Sequence, residues 1–299
     1  MKSLYSTRDF CEISEIANSS TVEYCFALSH NLNLKFFGLK CGDISNYGIF
    51  SPFWDPQFLE LSNIDEIGLI IKKFIDVNLS SGIKVIKIKL PPSFYANGID
   101  LAKFHLIKAG FKIIDYSLWQ TVDLISCKTS VTYESSLKYS SRKVIKRFSE
   151  FDDDPQIELI DNQSPLECVY DLIASNRIRL GTSLKYSIGY LYKLNNTFPD
   201  RVRIFKFNVR GRYVAAAICH LTADDILYVA AWADNLHGLT YSPMYKFASK
   251  LVDYCIENKI RYLDFGISSS VGLFTPGLFK FKANLGCFTS VQETFMYEV

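Results

Sequence analysis

Spacing that would hold a metal is missing from this sequence. Its eight cysteines, at positions 11, 25, 41, 127, 168, 219, 255 and 287, include no CxxC pair and meet no histidine at zinc-site spacing, so no metal site is expected. Scattered thiols of this kind read as small buried side chains of a reduced protein. No apolar run approaches the roughly 18–20 residues that span a bilayer. Residues 1–14 carry charges throughout and lack the apolar centre of a signal peptide. A cytoplasmic protein without a transmembrane segment is therefore expected. An excess of charge is missing as well: 33 Lys and Arg stand against 31 Asp and Glu, a net charge of +2. That gives no broad basic field for DNA. No nucleophile–base–orienter triad is legible either.

What is present is a supersecondary plan used twice. Over residues 84–124 a strand with Val85, Ile86, Ile88 and Leu90 leads into a loop with Pro91, Pro92 and Gly98. A short helix ending in Ala109-Gly110 and a long closing strand follow. Residues 261–299 repeat the order: Arg261-Tyr262-Leu263-Asp264-Phe265-Gly266, a Gly/Ser/Pro loop, Phe281-Lys282-Ala283-Asn284-Leu285-Gly286, and a closing strand. Two copies of one plan within 299 residues, 48% of them apolar, predict two tandem α/β domains with mixed sheets. A polar seam at residues 127–130 places the boundary, giving domains 1–125 and 126–299.

In the first half, residues 34–39 and 44–50 read as strands around a turn at Cys41-Gly42-Asp43. Ser62 is the expected N-cap of a helix with Ile67, Ile70, Ile71, Phe74 and Ile75 on its apolar face and Gly82 as its stop. The second half opens with an expected helix over 136–148. Its Arg142/Lys146 and Lys143/Arg147 pairs lie four apart, on one side. Two readings stand for that side: a solvated face balanced by Asp152, Asp153 and Asp154, or a phosphate-contacting face. Ser164-Pro165-Leu166-Glu167 has the form of a capping box with Pro at the first helical position. Ser187 begins a weaker helix, and residues 201–209, 213–221 and 226–232 read as a three-stranded meander. Trp232 then leads through a polar loop to Ser242-Pro243 and the longest helix, whose apolar face is Met244, Phe247, Ala248, Leu251, Val252, Cys255 and Ile256. A strand, a glycine-containing loop and a helix start aim free N–H groups and a positive dipole end at the edge of the sheet, which suits an anion.

Meander, loop, helix, strand and final strand is the order of elements in the GNAT acyltransferase superfamily. Three motifs of the second copy narrow the likeness: Tyr241-Ser242-Pro243, Asp264-Phe265-Gly266 and Phe281-Lys282-Ala283-Asn284-Leu285-Gly286. With Ser141-Arg142-Lys143-Val144-Ile145-Lys146 at its opening, the duplicated chain resembles the Fem-type branch. Those are the peptidoglycan bridge-forming aminoacyltransferases and their shorter relatives in cell-surface polysaccharide pathways. The resemblance implies two GNAT-like domains flanking a cleft, with 1–125 as its substrate-side wall and 126–299 as the donor and catalytic domain. It implies acyl transfer from an acyl thioester such as acyl-CoA to the amino group of a nucleotide- or lipid-linked amino sugar. Two departures stand out. Residues 237–244 keep only Gly238 of the usual pyrophosphate-loop pattern, and between Tyr186 and Arg201 there is no room for the helical hairpin of transfer-RNA-dependent members. An aminoacyl-tRNA donor and a non-catalytic binding protein on the same fold are the alternatives.

Acyl transfer to an amine requires an aligned amine, donors for the oxyanion and a group that manages protons. In such a fold the backbone of residues 228–232 supplies an oxyanion donor. Lys282 is the first side-chain candidate, to stabilise developing charge or hold a substrate phosphate. Asp264 either accepts the amine's proton or caps the loop after Gly266. His237 and Tyr241 are the acid–base candidates in the anion loop. Gly238, Leu239, Thr240, Tyr241, Ser242 and Tyr245 are expected around the donor, and Phe281, Ser268, Ser269, Arg142 and Lys146 around the substrate.

Overall fold

The computed structural model describes residues 4–7, 9, 10, 13, 21–29, 32–41, 43–47, 66–96, 98–150, 155–160, 165–184, 186–236, 242–270 and 273–299. Ser62, the acidic turn at 152–154 and Ser164 lie outside them. The strands are β1 (Thr21–Ser29), β2 (Leu32–Cys41), β3 (Ile44–Tyr47), β4 (Val85–Lys89), β5 (Lys112–Asp123), β6 (Gln156–Leu159) and β7 (Val202–Val209). After them come β8 (Arg212–Ala223), β9 (Ile226–Asp234), β10 (Tyr262–Ile267), β11 (Ser269–Ser270), β12 (Leu273–Phe274) and β13 (Phe288–Glu298). The helices are α1 (Ile67–Ser80), α2 (Ile99–Lys108), α3 (Ser130–Ser136), α4 (Tyr139–Lys146), α5 (Glu167–Arg179), α6 (Ile188–Thr197), α7 (Met244–Glu257) and α8 (Pro276–Asn284).

The elements gather into two compact units, the first made of Met1–Trp119, Ser269–Phe274 and Ser290–Val299, the second of Gln120–Ser268 and Thr275–Thr289. Contiguous halves were the expectation, and the units differ from them at the closing strands. β13 closes the second copy of the repeat, yet from Ser290 onward it belongs to the first unit. β5 closes the first copy, yet its last residues, 120–123, belong to the second unit.

In the first unit the strand order is β1-β2-β3-β4-β13, with the start of β5 beside β13. The β1/β2 and β2/β3 pairs are antiparallel, and β3/β4 is parallel. β4 pairs antiparallel with β13, placing Phe295 opposite Ile88 and Tyr297 opposite Ile86. The apolar stripe of α1 is buried as its spacing predicts: Ile67, Ile70, Ile71 and Phe74 share a core with Ile86, Ile88, Leu106, Phe111 and Phe295. Each such side chain contributes about 1.5–3 kcal/mol by leaving water. α2 ends at Gly110, whose φ of +100° an L side chain rarely adopts.

In the second unit the meander forms as read from the sequence, with β7/β8 and β8/β9 antiparallel. β6 adds an antiparallel edge to β7, β10 runs parallel to β9, and the end of β5 lies beside β10. The apolar face of α7 covers this sheet: Phe247, Ala248, Leu251, Val252 and Cys255 join Phe205, Phe207, Ala217, Leu227, Val229 and Leu263 in one core. Phe207 and Phe247 stack with centroids 5.0 Å apart. The helix expected over 136–148 instead starts at Tyr139 as α4 and passes into a 3-10 turn at Arg147, because Leu137 is extended (ψ 159°), and before Leu137 stands an unforeseen short helix, α3. α3 opens with a capping box: the Thr129 hydroxyl accepts from the Thr132 N–H and the Thr132 hydroxyl accepts from the Thr129 N–H. α5 begins at Glu167 with Leu166 as N-cap, and the Glu167 carboxylate accepts from the Tyr192 hydroxyl at 2.8 Å. Among the described residues no helix is long and apolar enough to cross a membrane.

Candidate active site

β9 and β10 run side by side for only three residue pairs, Tyr262 with Ile226, Leu263 with Leu227 and Asp264 with Tyr228. β9 continues to Asp234 and β10 to Ile267. The two strands thus part just after Asp264, and that parting organises the site.

Gly266 makes the parting possible. Its φ is +69°, and a Cβ on it would stand 2.9 Å from the Tyr228 ring and 3.4 Å from the Tyr228 hydroxyl. The bend turns three successive carbonyls toward α8. There the Lys282 ammonium donates to the oxygens of Phe265 (2.7 Å), Gly266 (3.1 Å) and Ile267 (2.6 Å). Lys282 is only 3% exposed. Burial pushes its ammonium down to about 8, from the usual 10.5.

Asp264 is fully buried. Its Oδ1 accepts from the Thr121 hydroxyl at 3.0 Å and from the Gly266 N–H at 2.8 Å. The capping role foreseen for Asp264 is therefore present, and its register partner on β9 is the half-buried Tyr228. Burial and the Asp264 charge keep the Tyr228 phenol protonated, well above its usual range. On its other side Tyr228 meets His220 edge-on at 6.3 Å. Burial pushes His220 down to about 4, so its ring is neutral at pH 7.

The remaining predicted residues divide among several surroundings. Ser268 is fully buried and hydrogen-bonds Gln120, whose amide donates to the Phe279 carbonyl at 3.2 Å. The Ser269 hydroxyl accepts from the Leu118 N–H at 3.0 Å, within the first unit. Phe281 packs 5.8 Å from Trp232 and edge-on to Tyr245 at 5.2 Å, so both expected contacts sit in one aromatic cluster with Phe265. Ser242 takes a positive φ of 54° just before Pro243, the N-cap of α7, where no side chain among the described residues caps the first turn. Arg142 and Lys146 are exposed on α4, with Arg142 donating to the Ser135 carbonyl at 3.1 Å. His237, Gly238, Leu239, Thr240 and Tyr241 lie outside the described residues.

Other groups at this end of the second unit escaped the sequence reading. Asn176 donates to the Asp234 carbonyl (3.0 Å), and Arg179 pairs with the Asp234 carboxylate (3.4 Å), fastening the last turn of α5 to the end of β9. Arg177, in the same turn, acts electrostatically on both the Tyr186 hydroxyl and Lys282. The Tyr186 hydroxyl is buried and has no hydrogen-bond partner among the described residues. The parity of β9, which puts Tyr228 and Trp232 among small apolar residues, was the available signal for Tyr228. Nothing local marked Tyr186. Among the described residues no group of three or more His, Cys, Asp or Glu side chains is placed to hold a metal.

The crystal structure of FemX superposes with a TM-score of 0.75 at 12% identity, covering 99% of this chain and 92% of that one. The fold is GNAT/Fem-like. A second such structure is described as the C-terminal domain of a lysylphosphatidylglycerol synthetase from Agrobacterium fabrum (TM-score 0.58, 11% identity, 96% of this chain and 92% of that one). A third is a tandem GNAT protein from the clavulanic acid biosynthesis pathway, solved without AcCoA (TM-score 0.54, 7% identity, 97% of this chain and 87% of that one). No protein-family model matches the sequence, and no curated protein does. At these identities the likeness establishes the GNAT/Fem-like fold, and the chemistry has to come from the residues.

Proposed function

We propose that this chain is an N-acyltransferase that moves an acyl group from an acyl thioester, acyl-CoA first, to the amino group of a nucleotide- or lipid-linked amino sugar. The parting of β9 and β10 after Asp264 carries the reading. It leaves β9 beyond Tyr228 without register partners in β10, and backbone N–H groups on that edge would suit an acyl carbonyl whose oxygen gains charge as the amine attacks. The first turn of α7, uncapped among the described residues, follows β9 and favours an anionic donor group. In this scheme the amine nitrogen bonds to the carbonyl carbon, the carbon–sulfur bond breaks, and the amine's proton leaves past Tyr228 toward Asp264. His237 and Tyr241 stand as proton donors to the departing thiolate. Lys282 acts as a positioning residue, since its three protons already hold the carbonyls that shape the opening.

Transfer from an aminoacyl-tRNA is the second reading, favoured by the superposition on FemX and by the single glycine of the anion loop. Melting temperatures measured with acyl-CoA species, free CoA, transfer RNA and nucleotide amino sugars separate the two. A ligand at 100 times its dissociation constant adds about 2.7 kcal/mol of stability. Stabilisation by CoA species supports the thioester donor, and stabilisation by transfer RNA alone moves the assignment to the second reading. No response to either donor overturns acyl transfer.

A further inference from the structure

We propose that the outward face of α3 and α4 is a docking surface for an anionic lipid bilayer. Both helices bury their inner sides: Tyr133, Leu137, Ile145 and Phe148 share a core with Phe247, Leu251 and Cys255 of α7. On α4, Tyr139, Arg142, Lys143 and Lys146 recur at helical spacing and Arg147 follows one position on, so the five form a single stripe. All five are exposed, and so is Lys138 just before them. Residues 125–147 carry six cations (128, 138, 142, 143, 146 and 147) against one carboxylate, Glu134. Glu134 is engaged elsewhere, with Lys246 at 3.3 Å and with the Ser249 hydroxyl.

The cations alone call for a polyanion, and the exposed apolar side chains of the same segment, residues 125–147, choose a bilayer. Tyr139 heads the stripe at 73% exposure, Val131 projects from α3 at 73%, and Ile125 stands in the turn before α3 at 71%. Ile125 and Val131 have neither a ring to stack on a base nor a group to hydrogen-bond a nucleotide. At a headgroup boundary, aliphatic side chains and a tyrosine ring leave water while lysine and arginine meet phosphates. Arg142 and Lys146, expected from the sequence to meet a substrate phosphate, meet headgroup phosphates in this arrangement. Each cation near an anionic leaflet strengthens binding by about fivefold, and salt screens the attraction.

Sedimentation of the full chain with vesicles of phosphatidylcholine, alone or with about a quarter phosphatidylglycerol, tests the surface at roughly 0.1 and 0.5 M salt. The expected result is binding to the anionic vesicles only, weakened at least ~10-fold at the higher salt. Arg142→Glu with Lys146→Glu should lower partitioning at least ~100-fold. Val131→Ser with Tyr139→Ser should lower it about tenfold with all cations in place. Circular dichroism and melting temperature, unchanged in these surface variants, would show that the fold is intact. Three results each overturn the proposal: equal binding to both vesicle types, no binding to either, or binding that ignores the charge reversals. So does binding of a transfer RNA in the same salt range while the vesicles stay unbound, which would make the face a nucleic-acid surface.

Discussion

An ammonium with three protons and three carbonyls within 3.1 Å has its donors fully used. Lys282→Met removes that donor set and leaves three buried acceptors facing a thioether, at a cost of about 3 kcal/mol in urea unfolding. The pH dependence follows from the depressed value of about 8 against the usual 10.5. Between those values the unfolded chain keeps a proton that the native state has released, so Lys282's contribution to stability rises with pH across this range, by up to ~3 kcal/mol. Below pH 8 both states are charged and the contribution is flat. Unfolding of wild type and Lys282→Met at pH 7.5 and about 9.5 should therefore show their stability gap widening at the higher pH. A gap that stays constant would mean that the three carbonyl dipoles hold the ammonium charged against burial. The Phe281-Lys282 pair could be picked out in the sequence because it belongs to a motif. Its partners could not, because they are main-chain oxygens brought round by a glycine sixteen positions earlier.

At the scale of elements, the site depends on where one strand leaves another. Tyr228 lies on Gly266, so any side chain at 266 meets two penalties together, the left-handed backbone and a ring only 2.9 Å away. Gly266→Ala should cost at least ~2 kcal/mol, from backbone strain and from displacing Tyr228. The urea midpoint measures the cost, and near-ultraviolet circular dichroism should report the moved tyrosine. An alanine tolerated without change would mean that the ring and the bend are independent. The meander, α7 and the Asp264-Phe265-Gly266 strand end were legible because period-two strands and an apolar helical stripe are written in neighbouring residues. The break at Leu137 was not, because a leucine between two serine-rich turns reads as helical until Tyr133 and Ile145 are seen to share one core. β6 was missed for a related reason. Gln156–Leu159 has a mixed, mostly exposed pattern, and its strand form comes from pairing with β7.

Over the whole molecule, the duplicated plan was legible and the bookkeeping of its strands was not. Local order reveals two similar series of elements, but nothing in residues 290–299 announces that their partners lie at 85–89. The exchange has a thermodynamic consequence. Phe295 is fully buried in the core of the first unit, beside Ile86, Ile88 and Phe111. A fragment ending at residue 125 lacks it and leaves the β4 edge without the β13 ladder. Losing a fully buried phenylalanine alone costs about 3–5 kcal/mol, a large part of the 5–15 kcal/mol that holds an ordinary domain. Residues 1–125 expressed alone should therefore be unfolded or aggregated, with amides of Ile86 and Ile88 exchanging freely with solvent. Residues 1–125 joined through a flexible linker to 286–299 should recover protection at both amides. Phe295→Ala in the full chain should show the same weakness in milder form, lowering protection in β4 while amides of Leu227 and Val229 in the second unit keep theirs. A 1–125 fragment that folds cooperatively without the C-terminal strand would show that the unit is complete by itself and that β13 adds little to it.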